Sequence, residues 1–200
     1  MHPATDFKTL DEARLLAHLD RHPLVTLAAA PHGRPYVAHA PVVPRRIDGR
    51  LVLDFHLSRG NALSADLAKG FPAVMVSLGP DAYVSPDWYE AADQVPTWNY
   101  VSVEAEGAVT ALDDAGLVQL LDDLSAQEEA RLAPKPPWTR GKMSPGRFES
   151  IMRGIIGARL TVERFEGTFK LSQNKPEADR AGVVAALGDH PLGRLMAGEG

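Results

Sequence analysis

The sequence has no cysteine, no long apolar run and no excess of basic residues, and each absence removes a class of function. Without cysteine there is no disulfide, no thiolate nucleophile and no sulfur-bound metal, which fits a reducing compartment. No apolar run approaches the roughly 20 residues needed to span a bilayer. The first ten residues lack the basic region and apolar core of a secretory signal, so a cytoplasmic location is expected, with no membrane partner. Lys and Arg number 21 against 26 Asp and Glu, a formal net charge of -5. An acidic chain gains little from the field of a phosphate backbone, so direct nucleic-acid binding is disfavoured. The seven histidines show no close metal-binding spacing, and no Gly-x-Ser-x-Gly, Walker or dinucleotide fingerprint occurs. Neither a metal centre nor a hydrolase is expected.

What remains is 200 residues, 44% hydrophobic and 24% charged, suited to one domain spanning 1–200. Thr9-Leu10-Asp11-Glu12 reads as a capping box for a helix carrying Leu15, Leu16 and Leu19. Strands are expected at 24–30, 36–43 and 51–57, with turns at Gly33 and Asp48-Gly49. Within the third, Leu51, Leu53, Phe55 and Leu57 share one face, and Asp54 and His56 the other. Asn61 suits the N-cap of a short helix. Further strands are expected at 72–78 and 81–85 around a Gly79-Pro80 break, and within 95–107. A helix over 113–131 comes next, then a short one at 147–152 and a strand around 158–162, which turns at Glu166-Gly167. A last helix begins near Pro176, and the final ten or so residues are expected to fray. Many short strands with helices between them suggest an antiparallel barrel with helical decoration.

Three segments could carry chemistry, and each admits a plainer reading. Phe55 to Asn61 ends a strand in a hydroxyl and a guanidinium just before a helix, which suits a phosphate or simply a surface arginine beside a cap. Between Tyr83 and Tyr100 lie two of three tryptophans and three of four tyrosines. They suit a ligand wall or an aromatic core corner. Lys170 to Lys175 offers two lysines, a hydroxyl and two amides, fit for phosphate or ribityl oxygens or for a solvated cap.

Together, Val95-Pro96-Thr97-Trp98-Asn99-Tyr100-Val101, Lys170-Leu171-Ser172-Gln173-Asn174-Lys175 and Tyr83-Val84-Ser85-Pro86-Asp87-Trp88-Tyr89 resemble the PaiB family of FMN-binding negative transcriptional regulators, and the resemblance runs to about Leu187. It implies an α+β split β-barrel related to pyridoxamine-phosphate oxidases, and a homodimer with FMN in a cleft between subunits. Carried over by position, Ser58, Arg59 and Asn61 correspond to the phosphate turn, and His56 flanks the ring system. Trp98, Asn99 and Tyr100, from the partner subunit, close the site, and Lys170, Ser172, Gln173 and Asn174 complete it. Two departures stand out: Gly60 follows Arg59 where many split-barrel flavoproteins carry a second cation, and His2 stands where relatives have an aromatic.

The resemblance implies a regulatory or sensory flavoprotein, with any regulation indirect because nothing resembles a recognition helix on a basic face. An alternative is an FMN-dependent oxidoreductase using NAD(P)H, in which the flavin carries the chemistry and no catalytic side chain need appear. A third reading places haem in the cleft, with His39 or His56 as axial ligand.

Overall fold

A computed structural model describes residues 4–198 of the chain; His2, Glu199 and Gly200 lie outside them. Its elements run β1 (Lys8–Thr9), α1 (Glu12–Arg21), β2 (Leu24–Ala29), β3 (Tyr36–Pro41), β4 (Val43–Ile47), β5 (Arg50–Ser58), β6 (Phe71–Val84), β7 (Thr97–Ala111), α2 (Asp114–Ala130), α3 (Arg147–Met152), β8 (Ile155–Lys170), α4 (Glu177–Leu187) and α5 (Pro191–Ala197). The sheet order is β3-β2-β6-β7-β8-β5-β4, with β1 added on β8. The β1–β8, β2–β3, β2–β6, β4–β5 and β5–β8 pairs are antiparallel. The residues gather into two compact units, and β6, β7 and β8 each pass from one to the other.

One unit comprises Leu19–Ser77 and Glu104–Phe165. Its β4–β5 hairpin closes on Asp48 and Gly49, both at positive φ (49° and 78°). That is the two-residue turn whose twist matches the flanking strands, and Asp-Gly favours it. Strand β5 is buried on both faces, because α2 lays Leu117 and Leu120 against Val43, with Leu121, Leu124, Met152 and Ile155 around them. Asp113 caps α2 by accepting the Gly116 amide at 2.7 Å. Asp54, on the face α2 would otherwise leave wet, is 2% exposed. It accepts two hydrogen bonds from Arg159 (2.6 and 2.8 Å) and one from Arg45 (2.9 Å).

The other unit comprises residues 4–18, 78–103 and 166–198. Here several sequence expectations need correction. Helix α1 is capped by Asp11, whose carboxylate accepts the Ala13 and Arg14 amides, whereas Thr9 pairs with Gly167 in the sheet. Strand β6 runs unbroken through Gly79-Pro80, and β8 runs unbroken through Glu166-Gly167. Both glycines serve close approach instead of a turn. A Cβ on Gly79 would lie 2.6 Å from His18 Cε1, and one on Gly167 would lie 2.6 Å from Leu15 Cδ2. The C-terminal stretch carries a further helix, α5, whose Leu192 and Met196 are fully buried. Burial of these two anchors residues 191–197 of the stretch that was expected to fray as a chain end.

Candidate functional site

The turn after β5 belongs to the first-described unit. The Asn61 side chain accepts the Leu63 amide at 3.0 Å, and its own amide donates to Ser58 O at 2.9 Å. The Ser64 hydroxyl also donates to Ser58 O, at 2.7 Å, so the turn is fixed from three directions. The chain then enters a 3-10 turn over Ala62–Asp66 and not a full helix. Asn61 takes two of its leading amides, Leu63 with its side chain and Ser64 with its carbonyl, so the helix-terminal donors expected for a phosphate are largely spent. The Ser58 hydroxyl oxygen accepts the Gly60 amide at 3.2 Å and keeps its proton to donate. Arg59 is exposed and lines a concavity of about 280 Å³ with Asp114, Glu149, Met152 and Arg153.

Two residues up the strand, His56 lines an apolar cavity of about 380 Å³ with Leu121, Trp138, Phe148, Ile151, Met152 and Ile155. Met152 borders both spaces. Burial pushes the His56 imidazole below the ordinary histidine range, and its Nδ1 is enclosed without a hydrogen-bond partner among the described residues. The ring is therefore neutral near pH 7. A third cavity, about 510 Å³, adjoins this one and shares Asp122, Ser125, Trp138 and Arg140 with it. The residues at 121–153 that build these spaces were not singled out as site residues by sequence. Those on α2 (Asp122, Ser125, Ala126, Glu129, Ala130) keep helical spacing but are polar or small, so they read as a solvated face, and past α2 only a mix of Met, Phe and Trp in a Pro-rich stretch stands out.

The remaining sequence-predicted residues lie in the other unit and bond largely to one another. Asn99, 1% exposed, donates to Ser172 Oγ at 2.8 Å, and its Oδ1 has no partner among the described residues. Ser172 is itself buried, with φ of 58°. Lys170 donates to Thr97 Oγ1 at 2.5 Å and Lys175 to Gln94 Oε1 at 2.6 Å. Burial, then the neighbouring Lys175 charge, holds the Lys170 amine below the usual lysine range. Gln173 accepts the Leu171 amide at 2.7 Å and donates to the Asp6 and Phe169 carbonyls. The buried Asp179 of α4 accepts the Glu90 and Ala91 amides at 2.9 and 3.0 Å. Asp179 thus ties the stretch just past Tyr89 to α4, while residues of 94–99 and 170–175 form one hydrogen-bonded knot. Three predicted residues stay outside it: Tyr100 is half-buried, Asn174 is exposed, and Trp98, 51% exposed, donates to Asp81 at 2.8 Å and meets Tyr83 edge-on. His39 is exposed and bonded to Thr26 at 3.2 Å. Among the described residues no group of three His, Cys, Asp or Glu side chains could hold a metal ion.

Adjoining spaces, one apolar and one lined by two arginines with two carboxylates, can take a ligand with a flat ring system and a tail whose anionic group the arginines would meet. The chain belongs to the family described as "Putative FMN-binding domain", whose model matches residues 1–164, and FMN is the cofactor of that family. It is 28% identical over 193 residues to the protease synthase and sporulation protein PAI 2 of Bacillus subtilis (strain 168), a match spanning 96% of this chain and 92% of that protein. Among solved structures it is similar to the FAD and heme binding protein from Mycobacterium smegmatis, with a TM-score of 0.57 and 20% identity over 91% of this chain and 80% of that one. It is similar also to the flavocytochrome Anf3 from Azotobacter vinelandii, with a TM-score of 0.59 and 17% identity over 90% and 78%. At these identities the likeness is one of fold, the α+β split-barrel class expected from the sequence.

The residues present fit FMN. His56 Nδ1, enclosed and without a partner among the described residues, lies beside an apolar wall, and the exposed Ser58 hydroxyl and Arg59 guanidinium are donors of the kind a phosphate would need.

Proposed function

We propose that the chain is a PaiB-type flavin protein that binds FMN at the C-terminal end of β5 and acts as a regulator or sensor through the state of that flavin. The observation that carries this is the adjacency of the Arg59 concavity and the His56 cavity across Met152. Ser58, Arg59 and Asn61 would hold the phosphate, with His56 and the apolar wall against the ring. When bound, FMN supplies hydride or single-electron chemistry. The protein's own part is to orient the flavin, to present a neutral imidazole beside it, and to exclude water with Leu121, Phe148 and Met152.

In this reading the active form is a homodimer, and the exposed Trp98 and half-buried Tyr100 of the partner cover the flavin. Exposed Leu78, Tyr83 and Val95 on the same unit support an association surface there. Asn99, Ser172 and Gln173, committed to internal hydrogen bonds, serve as the brace that holds that surface, and Lys170 steadies it through Thr97. Asn174 remains free to reach a ligand. A second reading, an FMN-dependent oxidoreductase with NAD(P)H as donor, is favoured by the adjoining 510 Å³ cavity, which has room for a second molecule.

An absorbance spectrum taken after FMN addition and gel filtration tests the proposal. Flavin bands co-eluting with a dimer at one FMN per chain are expected. Protein that emerges colourless after exposure to excess FMN contradicts it. Anaerobic addition of NADH or NADPH then separates the readings: fast bleaching with turnover on an acceptor supports the oxidoreductase.

A further inference from the structure

A phosphate monoester carries about −1.5 to −2 charges at pH 7, and one guanidinium balances only part of that. The Ser58–Asn61 turn holds a single cation, Arg59, with Gly60 after it. We infer that Arg153 is the second phosphate-binding residue, brought to Arg59 by the pairing of β5 with β8. This rests on the reading of the turn as the FMN phosphate site.

Ser58 faces Ile155 in the last rung of the β5–β8 pair. One residue beyond, the Arg59 amide donates to Gly154 O at 3.0 Å, so the turn leaving β5 is stapled to the turn entering β8. Arg59 and Arg153 therefore flank one backbone junction, and both line the same concavity of about 280 Å³. Neither has a hydrogen bond or ion pair from its guanidinium among the described residues, although Asp114 and Glu149 line that concavity too. Other arginines of the unit do find carboxylates: Arg45 and Arg159 on Asp54, Arg131 on Asp20, Arg140 on Asp122. Two unpaired guanidiniums facing one small space repel each other, and a dianion between them relieves that repulsion. The two carboxylates weaken the field, so the site suits a phosphate monoester held with moderate affinity.

Flavin fluorescence titrations at one ionic strength, with FMN and with riboflavin, test this on the wild-type protein and on Arg59→Ala, Arg153→Ala and Glu149→Gln. Loss of a charge-assisted contact predicts that Arg153→Ala weakens FMN about tenfold or more. Riboflavin binding should stay within about twofold, which also reports an intact fold. Glu149→Gln should tighten FMN and leave riboflavin unchanged, a gain that misfolding cannot mimic. An FMN affinity unmoved by Arg153→Ala, or an equal loss for both flavins, overturns the role of Arg153, as does a Glu149→Gln variant that binds FMN no better. Should Arg59→Ala lose FMN selectively while Arg153→Ala keeps it, the phosphate turn stands and only Arg153 falls. Wild-type protein that binds FMN no better than riboflavin overturns the turn and Arg153 together.

Discussion

Asp54 and His56 sit two residues apart on the same face of β5 and are handled in opposite ways. The buried Asp54 carboxylate is met by two arginines with three hydrogen bonds. Hydrogen bonding to Asp54, the largest influence on it, raises the Arg159 guanidinium further above its ordinary value. Asp54→Ala leaves the partly exposed Arg159 without its carboxylate while Arg45 keeps Asp123, so it should cost about 1.5–3 kcal/mol of unfolding free energy in urea titration. A cost under about 1 kcal/mol would mean that the cluster is solvated. His56 meets no carboxylate partner among the described residues, and burial depresses its pKa, as burial followed by the Arg21 charge does for His22. The unfolded chain then binds more protons than the folded one below about pH 6.5. Stability should therefore hold at neutral pH and fall as the pH drops through that value. His56→Gln should flatten the acid limb of a plot of Tm against pH, and an identical limb in the variant would assign the loss to other groups.

At the scale of elements, the signature segments work as a brace. Residues 86–91 are pinned to α4 through Asp179, and β7 is pinned to the end of β8 through Asn99–Ser172 and Thr97–Lys170. The fit is tight at Gly182 of α4, where a Cβ would lie 2.1 Å from Trp88 O. Gly182→Ala must push the 86–91 segment away, and overpacking of this kind costs about 1–3 kcal/mol. Urea unfolding with tryptophan fluorescence checks it, since Trp88 is at the point of contact; an unchanged midpoint would show that α4 slides freely. The β4–β5 hairpin and α2 were legible because Asp48-Gly49 and the Asp113 cap are local signals. The continuity of β6 and β8 was not, because glycine marks a turn and a close approach with the same letter. Which of the two holds at Gly79 and Gly167 is decided by His18 and Leu15, far away in sequence.

At the scale of the whole molecule, the residues that identify the family and those that form the cavities separate. Trp98-Asn99-Tyr100 and Lys170 to Asn174 lie in one compact unit; His56, Ser58, Arg59 and Asn61 lie in the other with the cavity-lining residues of 121–155. The family was readable from three short runs taken together, and the turn proposed for the phosphate from its place in that resemblance. The apolar wall and Arg153 were hidden because they reach the turn only through pairing of strands about a hundred residues apart. We propose on this basis that FMN binds at the β5–β8 junction. Hydrogen–deuterium exchange with and without saturating FMN tests that most directly. Slowed exchange across residues 55–61 and 147–156, on the protein as a dimer, is the predicted result. Exchange there unchanged by FMN, with protection confined to other segments, would contradict it.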